Sequence, residues 1–261
     1  MKTALITGAS SGIGAVYADR LARRGYDLIL VARDAAKLSV LAQQLHTATG
    51  RKVETIAADL GVSADLRRVE QRLAEDASIA MLVNNAGLGS VKPLIDSTPE
   101  ELDTLINVNV TALTRLTRAV APGLVARGEG AIINISSIAA LKPELLNGVY
   151  GGGKAFVLAL TQSLHHELGG KGVQVQAVLP GAIATPFWDR AGHAVENLPA
   201  ELVMTPEDLV DAALAGFDQR ELATVPSLPD LVDFNRMEEA RHALAGDLSR
   251  NKPGARYFKA A

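Results

Sequence analysis

Lys2-Thr3-Ala4-Leu5-Ile6-Thr7 runs straight into Gly8-Ala9-Ser10-Ser11-Gly12-Ile13-Gly14, and this junction decides the fold. The first six residues have the pattern of a short buried strand. From Val16 through Ala18, Leu21 and Ala22 to Gly25 the apolar spacing becomes helical. Strand, glycine loop, helix is the setting in which a glycine motif signals phosphate binding. Glycines permit a tight turn and close backbone approach. The helix start offers unpaired N–H groups and a positive dipole end to an anion. The spacing is G-x-x-x-G-x-G and not the commoner G-x-G-x-x-G, so the usual dinucleotide fingerprint is not matched literally. A plain strand-to-helix turn is the alternative; the two flanking elements favour phosphate binding.

Working outward, Tyr26 to Ala32 is a second buried strand, ending Ala32-Arg33-Asp34. At that place an acid would bind a free adenosine ribose and an arginine would accommodate a 2′-phosphate. Arg33 comes first and favours NADP. Asp34 competes, unless it caps the helix carrying Leu38, Leu41 and Leu45. Val53 to Ala58 reads as a third strand ending at Asp59-Leu60, with a helix following through Leu66, Val69 and Leu73. Ile79 to Val83 is a fourth, ending Asn84-Asn85-Ala86-Gly87, either a ligand site at a strand end or a loop turn. Pro99 to Arg127 reads as one helix. Asparagine is an indifferent helix former, so Asn109 in its middle needs a reason, a solvent-facing position being the plain one.

Ala131 to Ile135 is a fifth strand, ending Ser136-Ser137. A helix containing Tyr150 then runs to Gly169, apolar on every side from Ala155 to Leu160, which points to a subunit interface. Val173 to Leu179 is a sixth strand, ending Pro180-Gly181-Ala182-Ile183-Ala184-Thr185. The non-periodic stretch from Pro186 to Met204 holds Phe187, Trp188 and His193 and has the character of a lid. Thr205-Pro206-Glu207 opens a helix to about Phe217, and Leu222 to Val225 is a last short strand. The tail from Ser227 has a helix-like run, Leu231 to Leu244, and a basic end, Arg250 to Lys259, either mobile or docked on a partner subunit.

This alternation predicts one α/β domain over 1–261: a doubly wound sheet of about seven mostly parallel strands with helices on both faces. The lid at about 186–204 and the tail at about 227–261 would shape the substrate region. Length and a 48% hydrophobic composition are ample for such a core. Twenty-six basic against 29 acidic residues give no nucleic-acid or membrane signal. The absence of cysteine rules out disulfides, thiolate catalysis and cysteine metal sites. His165 and His166 have no carboxylate cluster at metal-ligand spacing, so no metal is expected. The opening stretch lacks the layout of a signal peptide or membrane span; a soluble cytoplasmic protein is the default expectation.

Tyr150-Gly151-Gly152-Gly153-Lys154 carries the chemistry. Tyr150 and Lys154 are four apart and share a helix face. A free tyrosine, with a pKa of about 10, is a poor acid or base at neutral pH; a fixed ammonium nearby would lower it. Such a pair could move a proton at a carbonyl or alcohol oxygen, although most Y-x-x-x-K pairs are solvated helix faces. Each glycine costs about 1 kcal/mol against alanine inside a helix. Three together suggest a tightly packed or closely approached helix start.

Taken in order, these motifs resemble the short-chain dehydrogenase/reductase family over about residues 1 to 226. The family's T-G-x-x-x-G-x-G matches Thr7 to Gly14, which accounts for the spacing, and its N-N-A-G matches Asn84 to Gly87. The resemblance implies a Rossmann-like fold and a catalytic set of Asn109, Ser137, Tyr150 and Lys154. Ser137 is chosen over Ser136 because the family's serine stands thirteen residues before its tyrosine. It also implies cofactor contacts at Gly8, Ser10, Ser11, Gly12, Ile13, Gly14, Asn85, Ala86 and Gly87. Asp59 and Leu60 would lie by the adenine, Pro180 and Gly181 form the P-G motif, and Ile183 and Thr185 would hold the nicotinamide carboxamide. Arg33 marks NADP-preferring members, with NAD possible. Gly153 departs from the serine many members carry. The family's dimers and tetramers pack the helices that here would be 110–127 and 150–168.

The implied reaction is NADP(H)-dependent interconversion of a carbonyl and a secondary alcohol. Tyr150 would be the acid, Ser137 would hold the substrate oxygen, and Lys154 would lower the tyrosine pKa and bind the ribose. Asn109 would hold a relay water. Leu141, Phe187, Trp188 and Leu198 suggest a hydrophobic substrate. A catalytically inactive dinucleotide-binding regulator, and an epimerase or dehydratase on the same fold, are the rival readings.

Overall fold

The apolar runs become strands that lie side by side in one sheet. The computed structural model describes residues 2–258, and the chain divides into two compact units, Met1–Pro226 and Ser227–Ala261. In the first unit β1 (Thr3–Thr7), β2 (Asp27–Ala32), β3 (Val53–Ala57), β4 (Ile79–Asn84), β5 (Gly130–Ile135) and β6 (Val173–Val178) alternate with helices. These are α1 (Gly12–Arg23), α2 (Ala35–Thr49), α3 (Ser63–Glu75), α4 (Pro99–Ile106), α5 (Leu113–Arg127) and α6 (Gly148–Leu168). A two-stranded ladder of β7 (Ala182–Ile183) and β8 (Val203–Met204) lies apart from the main sheet, with α7 (Phe187–Ala191) between them in sequence. α8 (Pro206–Asp218) then leads to β9 (Ala223–Thr224), the seventh strand of the sheet.

The strand order is β3-β2-β1-β4-β5-β6-β9, every pairing parallel. Alternate residues of β1 serve opposite faces. Ala4 and Ile6 join Tyr17, Leu21, Leu38 and Leu209 in one core; Leu5 joins Leu66, Val69, Leu116 and Val120 in the other. Fully buried parallel strands read as near-continuous apolar runs for this reason. The order reverses between β1 and β4, and a crevice opens there beyond the strand ends. The glycine loop, the end of β4 and the end of β5 all converge on it.

Two expectations are refined. The span Pro99–Arg127 is continuous but not uniformly α-helical: Asn107–Ala112 forms a π-helical turn between α4 and α5. The stretch 186–204 is structured, with α7 near its start and β8 closing it against β7. Asn84, Thr117, Asn134 and Thr161 form a buried polar chain across the sheet. Asn84 Nδ2 donates to Thr117 Oγ1 and Asn134 Oδ1, and Asn134 Nδ2 donates to Thr161 Oγ1.

The second unit contains α9 (Val232–Ala243), matching the expected helix within a residue at each end, and none of its residues is buried. Lys259, the last residue of the basic segment, lies outside the described residues. Among the described residues no helix is long and apolar enough to cross a membrane.

Candidate active site

The glycine loop is built for close approach. Gly8 and Gly12 have φ of +65° and +54°, where a side chain is strained. A Cβ on Gly12 would meet Thr185 Cγ2 at 2.8 Å. A Cβ on Gly14 would strike the Gly8 carbonyl. Asn85 splices the loop to β4: its Nδ2 donates to the carbonyls of Thr7 (2.8 Å) and Gly8 (3.2 Å), while Thr7 Oγ1 accepts from the N–H groups of Asn85 and Ala86 at 3.0 Å. Ser11, at the N-cap of α1, makes no side-chain cap, and the first turn, which includes Ile13, holds no acid. The opening N–H groups of α1 are therefore left for an anion.

A cleft of about 270 Å³ is lined by Gly8, Ser10, Ser11, Arg33, Asp59, Leu60, Ala86 and Gly87. Asp34 is the helix cap, accepting from the Lys37 N–H at 3.0 Å, which leaves Arg33 exposed and without a partner among the described residues. Lys37 lines the same cleft. Sequence reasoning passed over it, although its position one turn after Arg33 in the first turn of α2 was a usable signal. Asp59 Oδ1 accepts from the Gly61 N–H at 2.9 Å.

α6 carries Tyr150 and Lys154 to the end of β5. Both are buried. Lys154 Nζ donates to the Ile135 carbonyl at 2.9 Å and lies 5.7 Å from the Tyr150 ring centroid. The two serines after β5 separate cleanly. Ser136 Oγ donates to the Lys154 carbonyl at 2.8 Å, whereas the Ser137 side chain faces the Tyr150 hydroxyl closely enough to lower its pKa and accepts from the Ala139 N–H at 3.1 Å. The pKa expectation needs correction. Burial pushes Tyr150 up to about 12, a rise that Ser137 only opposes, and burial brings Lys154 down to about 8. Desolvation of the charged form is the leading cause of both shifts.

Asn109 is buried in the π-helical turn, not solvent-facing. Its Oδ1 accepts from the Leu88 N–H and its Nδ2 donates to the Leu88 carbonyl, both at 2.8 Å. The side chain thus clamps the strand-end loop beside Gly87, where an added Cβ would lie 3.3 Å from Asn109 Oδ1 and 3.5 Å from Lys154 Nζ. Single π-helical turns concentrate at functional sites. Asn147 is a residue the sequence reading missed. Buried at the N-cap of α6, it accepts from the Val149 N–H (2.8 Å) and donates to the Lys92 carbonyl (2.6 Å). An asparagine three residues before the tyrosine, at a helix start, was the available signal.

Beyond β6 the Pro180 carbonyl accepts from the Ile138 N–H at 3.0 Å, tying the Pro180-Gly181 turn to the segment after Ser137. The Ile183 carbonyl accepts from Trp188 Nε1 at 3.0 Å. Phe187 is the α7 aromatic at the tyrosine, its ring centroid 6.0 Å from that of Tyr150; Trp188 and then His193 follow at 5.6 and 6.3 Å steps. On the outer side of α6, Phe156 is exposed while Val157 and Leu158 are buried. Arg115 of α5 forms a two-point ion pair with Glu70 of α3 at 2.6 Å.

A family model for short chain dehydrogenases matches residues 2–196. A solved short-chain dehydrogenase from Sphingobium yanoikuyae in complex with NADPH is 50% identical, with a TM-score of 0.96 over 99% of this chain and 100% of that one. The bulky-bulky ketone specific alcohol dehydrogenase from Comamonas testosteroni is 45% identical, with a TM-score of 0.91 over 99% of both chains. A very-long-chain 3-oxoacyl-CoA reductase from Anas platyrhynchos is 35% identical over 215 residues, 81% of this chain and 67% of the relative.

Proposed function

The chain belongs to the short-chain dehydrogenase family, and on that footing we propose that this oxidoreductase interconverts a bulky hydrophobic ketone and its secondary alcohol with NADP(H), using Tyr150 as acid and base. The observation that carries the reading is the buried Tyr150 hydroxyl paired with Ser137, one helical turn from buried Lys154 and next to the phosphate-suited cleft.

Gly8, Ser10, Ser11 and the start of α1 suit the pyrophosphate. Arg33, freed by the capping role of Asp34 and supported by Lys37, suits a 2′-phosphate. Asp59, Leu60, Ala86 and Gly87 suit the adenosine, and Pro180, Gly181, Ile183 and Thr185 the nicotinamide end. When bound, the dinucleotide supplies or accepts the hydride. In reduction, Ser137 donates a hydrogen bond to the substrate oxygen and Tyr150 gives it a proton as the alkoxide develops. A tyrosine with a pKa raised to about 12 is protonated and ready to donate at neutral pH. Lys154, with its pKa brought down to about 8, keeps its charge at neutral pH and favours the phenolate left after transfer. Asn109 holds the Leu88 backbone at the mouth and, with Lys154, leads the replacement proton in through water. Such acid–base help is worth about 10²–10⁴ in rate.

The substrate class follows the Comamonas testosteroni alcohol dehydrogenase, whose likeness spans the lid and the tail. The acyl-CoA reductase match covers a smaller share of that relative. Phe187, beside Tyr150, gives the apolar wall that a bulky ketone needs. The test is a titration with NADPH and NADH, then a panel of aryl and alkyl ketones. Tighter NADPH binding and turnover of ketones bulky on both sides are expected. Preference for NADH, or turnover confined to small aldehydes, would overturn the assignment.

A further inference from the structure

The arginines of this chain are mostly paired: Arg20 with Asp211, Arg24 with Asp218, Arg72 with Glu54, Arg115 with Glu70. Arg33 and Arg190 are not. Among the described residues neither has an ion pair or hydrogen bond, both are exposed, and both line the same cleft. Arg33 stands at the end of β2, and Arg190 stands on α7, an element remote in sequence from every other residue lining that cleft. The two carboxylates on the lining are already engaged, Asp34 by the Lys37 N–H and Asp59 by the Gly61 N–H. Two guanidiniums without carboxylates of their own, on separate elements around one cleft, fit a ligand with more than one phosphate group.

The place of Arg190 along the cleft follows from chain connectivity. Thr185 packs on Gly12 of the glycine loop, and α7 begins two residues later. Arg190 therefore rises close to the pyrophosphate end, whereas Arg33 and Lys37 occupy the 2′-phosphate end. The same short helix holds Phe187 against Tyr150 and Trp188 on the Ile183 carbonyl, and the Ala191 carbonyl accepts from the Val91 N–H at 3.1 Å. A pull on Arg190 is thus a pull on the apolar wall beside the tyrosine.

We propose that Arg190 is a pyrophosphate-binding residue carried by the lid helix, so that cofactor binding sets the position of Phe187 at the substrate pocket. The inference rests on the dinucleotide reading above and extends it to a residue outside the family motifs.

Trp188 is the single tryptophan of the chain, two residues from Arg190, so its emission reports α7 directly. NADP⁺ and NAD⁺ would be titrated into wild type, Arg190→Ala, Arg190→Lys and Arg33→Ala, following Trp188 emission and, independently, the heat of binding. Arg190→Ala is expected to weaken both dinucleotides alike, by about tenfold for one charge-assisted contact. It should also lose the Trp188 change at saturation, and Arg190→Lys should recover part of each. Arg33→Ala should weaken NADP⁺ alone. Unchanged affinity in Arg190→Ala, a loss confined to NADP⁺, or a full Trp188 response at saturation would overturn the role of Arg190 and leave the dinucleotide reading intact. Binding of neither dinucleotide by the wild type would overturn both.

Discussion

Three consecutive glycines at the start of α6 have three different surroundings, and alanine at each should give a different result. At Gly152 an added Cβ meets nothing within 4 Å. Only helix propensity acts there, and Gly152→Ala should stabilise by about 1 kcal/mol. At Gly153 the nearest atom is Val110 Cγ2 at 3.5 Å, ordinary contact, so a similar gain is expected. At Gly151 the Cβ would stand 3.0 Å from Pro143 Cα and 3.1 Å from the Pro143 carbonyl oxygen. Backbone there cannot turn aside as a side chain could. Overpacking of this kind costs about 1–3 kcal/mol, which cancels or exceeds the propensity gain. For a chain of this size 1 kcal/mol moves the melting temperature by about 2–4 °C. Thermal unfolding of the three variants should therefore show Gly152→Ala and Gly153→Ala a few degrees above wild type and Gly151→Ala at or below it. A Gly151→Ala protein as stable as Gly152→Ala would refute the claim that Pro143 is a fixed seat for α6.

Asn147→Ala removes the cap of α6 and leaves the Val149 N–H and the Lys92 carbonyl without their partner. A lost cap of about 0.5–2 kcal/mol and a buried unpaired group of about 1–3 kcal/mol together cost about 1.5–5 kcal/mol, readable in urea unfolding. Turnover should fall with it, since Tyr150 lies one turn on. The depressed pKa of Lys154 makes stability depend on pH. The unfolded lysine binds its proton up to about pH 10.4 and the folded one only to about 8. Stability should therefore rise with pH between those values, by about 3 kcal/mol at most, and the rise should be missing in Lys154→Met. Parallel pH profiles for the two proteins would contradict the burial argument.

β1, β2, β4 and β5 were legible because they are buried almost throughout and read as near-continuous apolar runs closed by a polar or glycine cluster, whereas the edge strand β3 is partly exposed. The doubly wound, parallel architecture followed from the βα alternation, and the strand order came from the structure. The choice between Arg33 and Asp34 was readable too, since an aspartate directly ahead of a helical run is a cap. The π-helical turn at Asn107–Ala112 was not. Its register change leaves the apolar spacing of the flanking helices nearly intact, and only the indifferent Asn109 hinted at it. The direction of the Tyr150 pKa differs from the expectation because sequence places Lys154 near the ring but cannot show how completely the hydroxyl is buried. Arg190 and Asn147 lie in non-periodic segments, where hydrophobic spacing carries no information.

Ser137, Tyr150 and Lys154 as the proton machinery is the central claim, and Tyr150→Phe tests it most directly. Replacing the hydroxyl by hydrogen leaves the ring, its contact with Phe187 and the dinucleotide cleft in place. NADPH affinity measured by titration should stay within about twofold of wild type, while ketone reduction falls by about 10²–10⁴. Undiminished turnover in that variant would contradict the account.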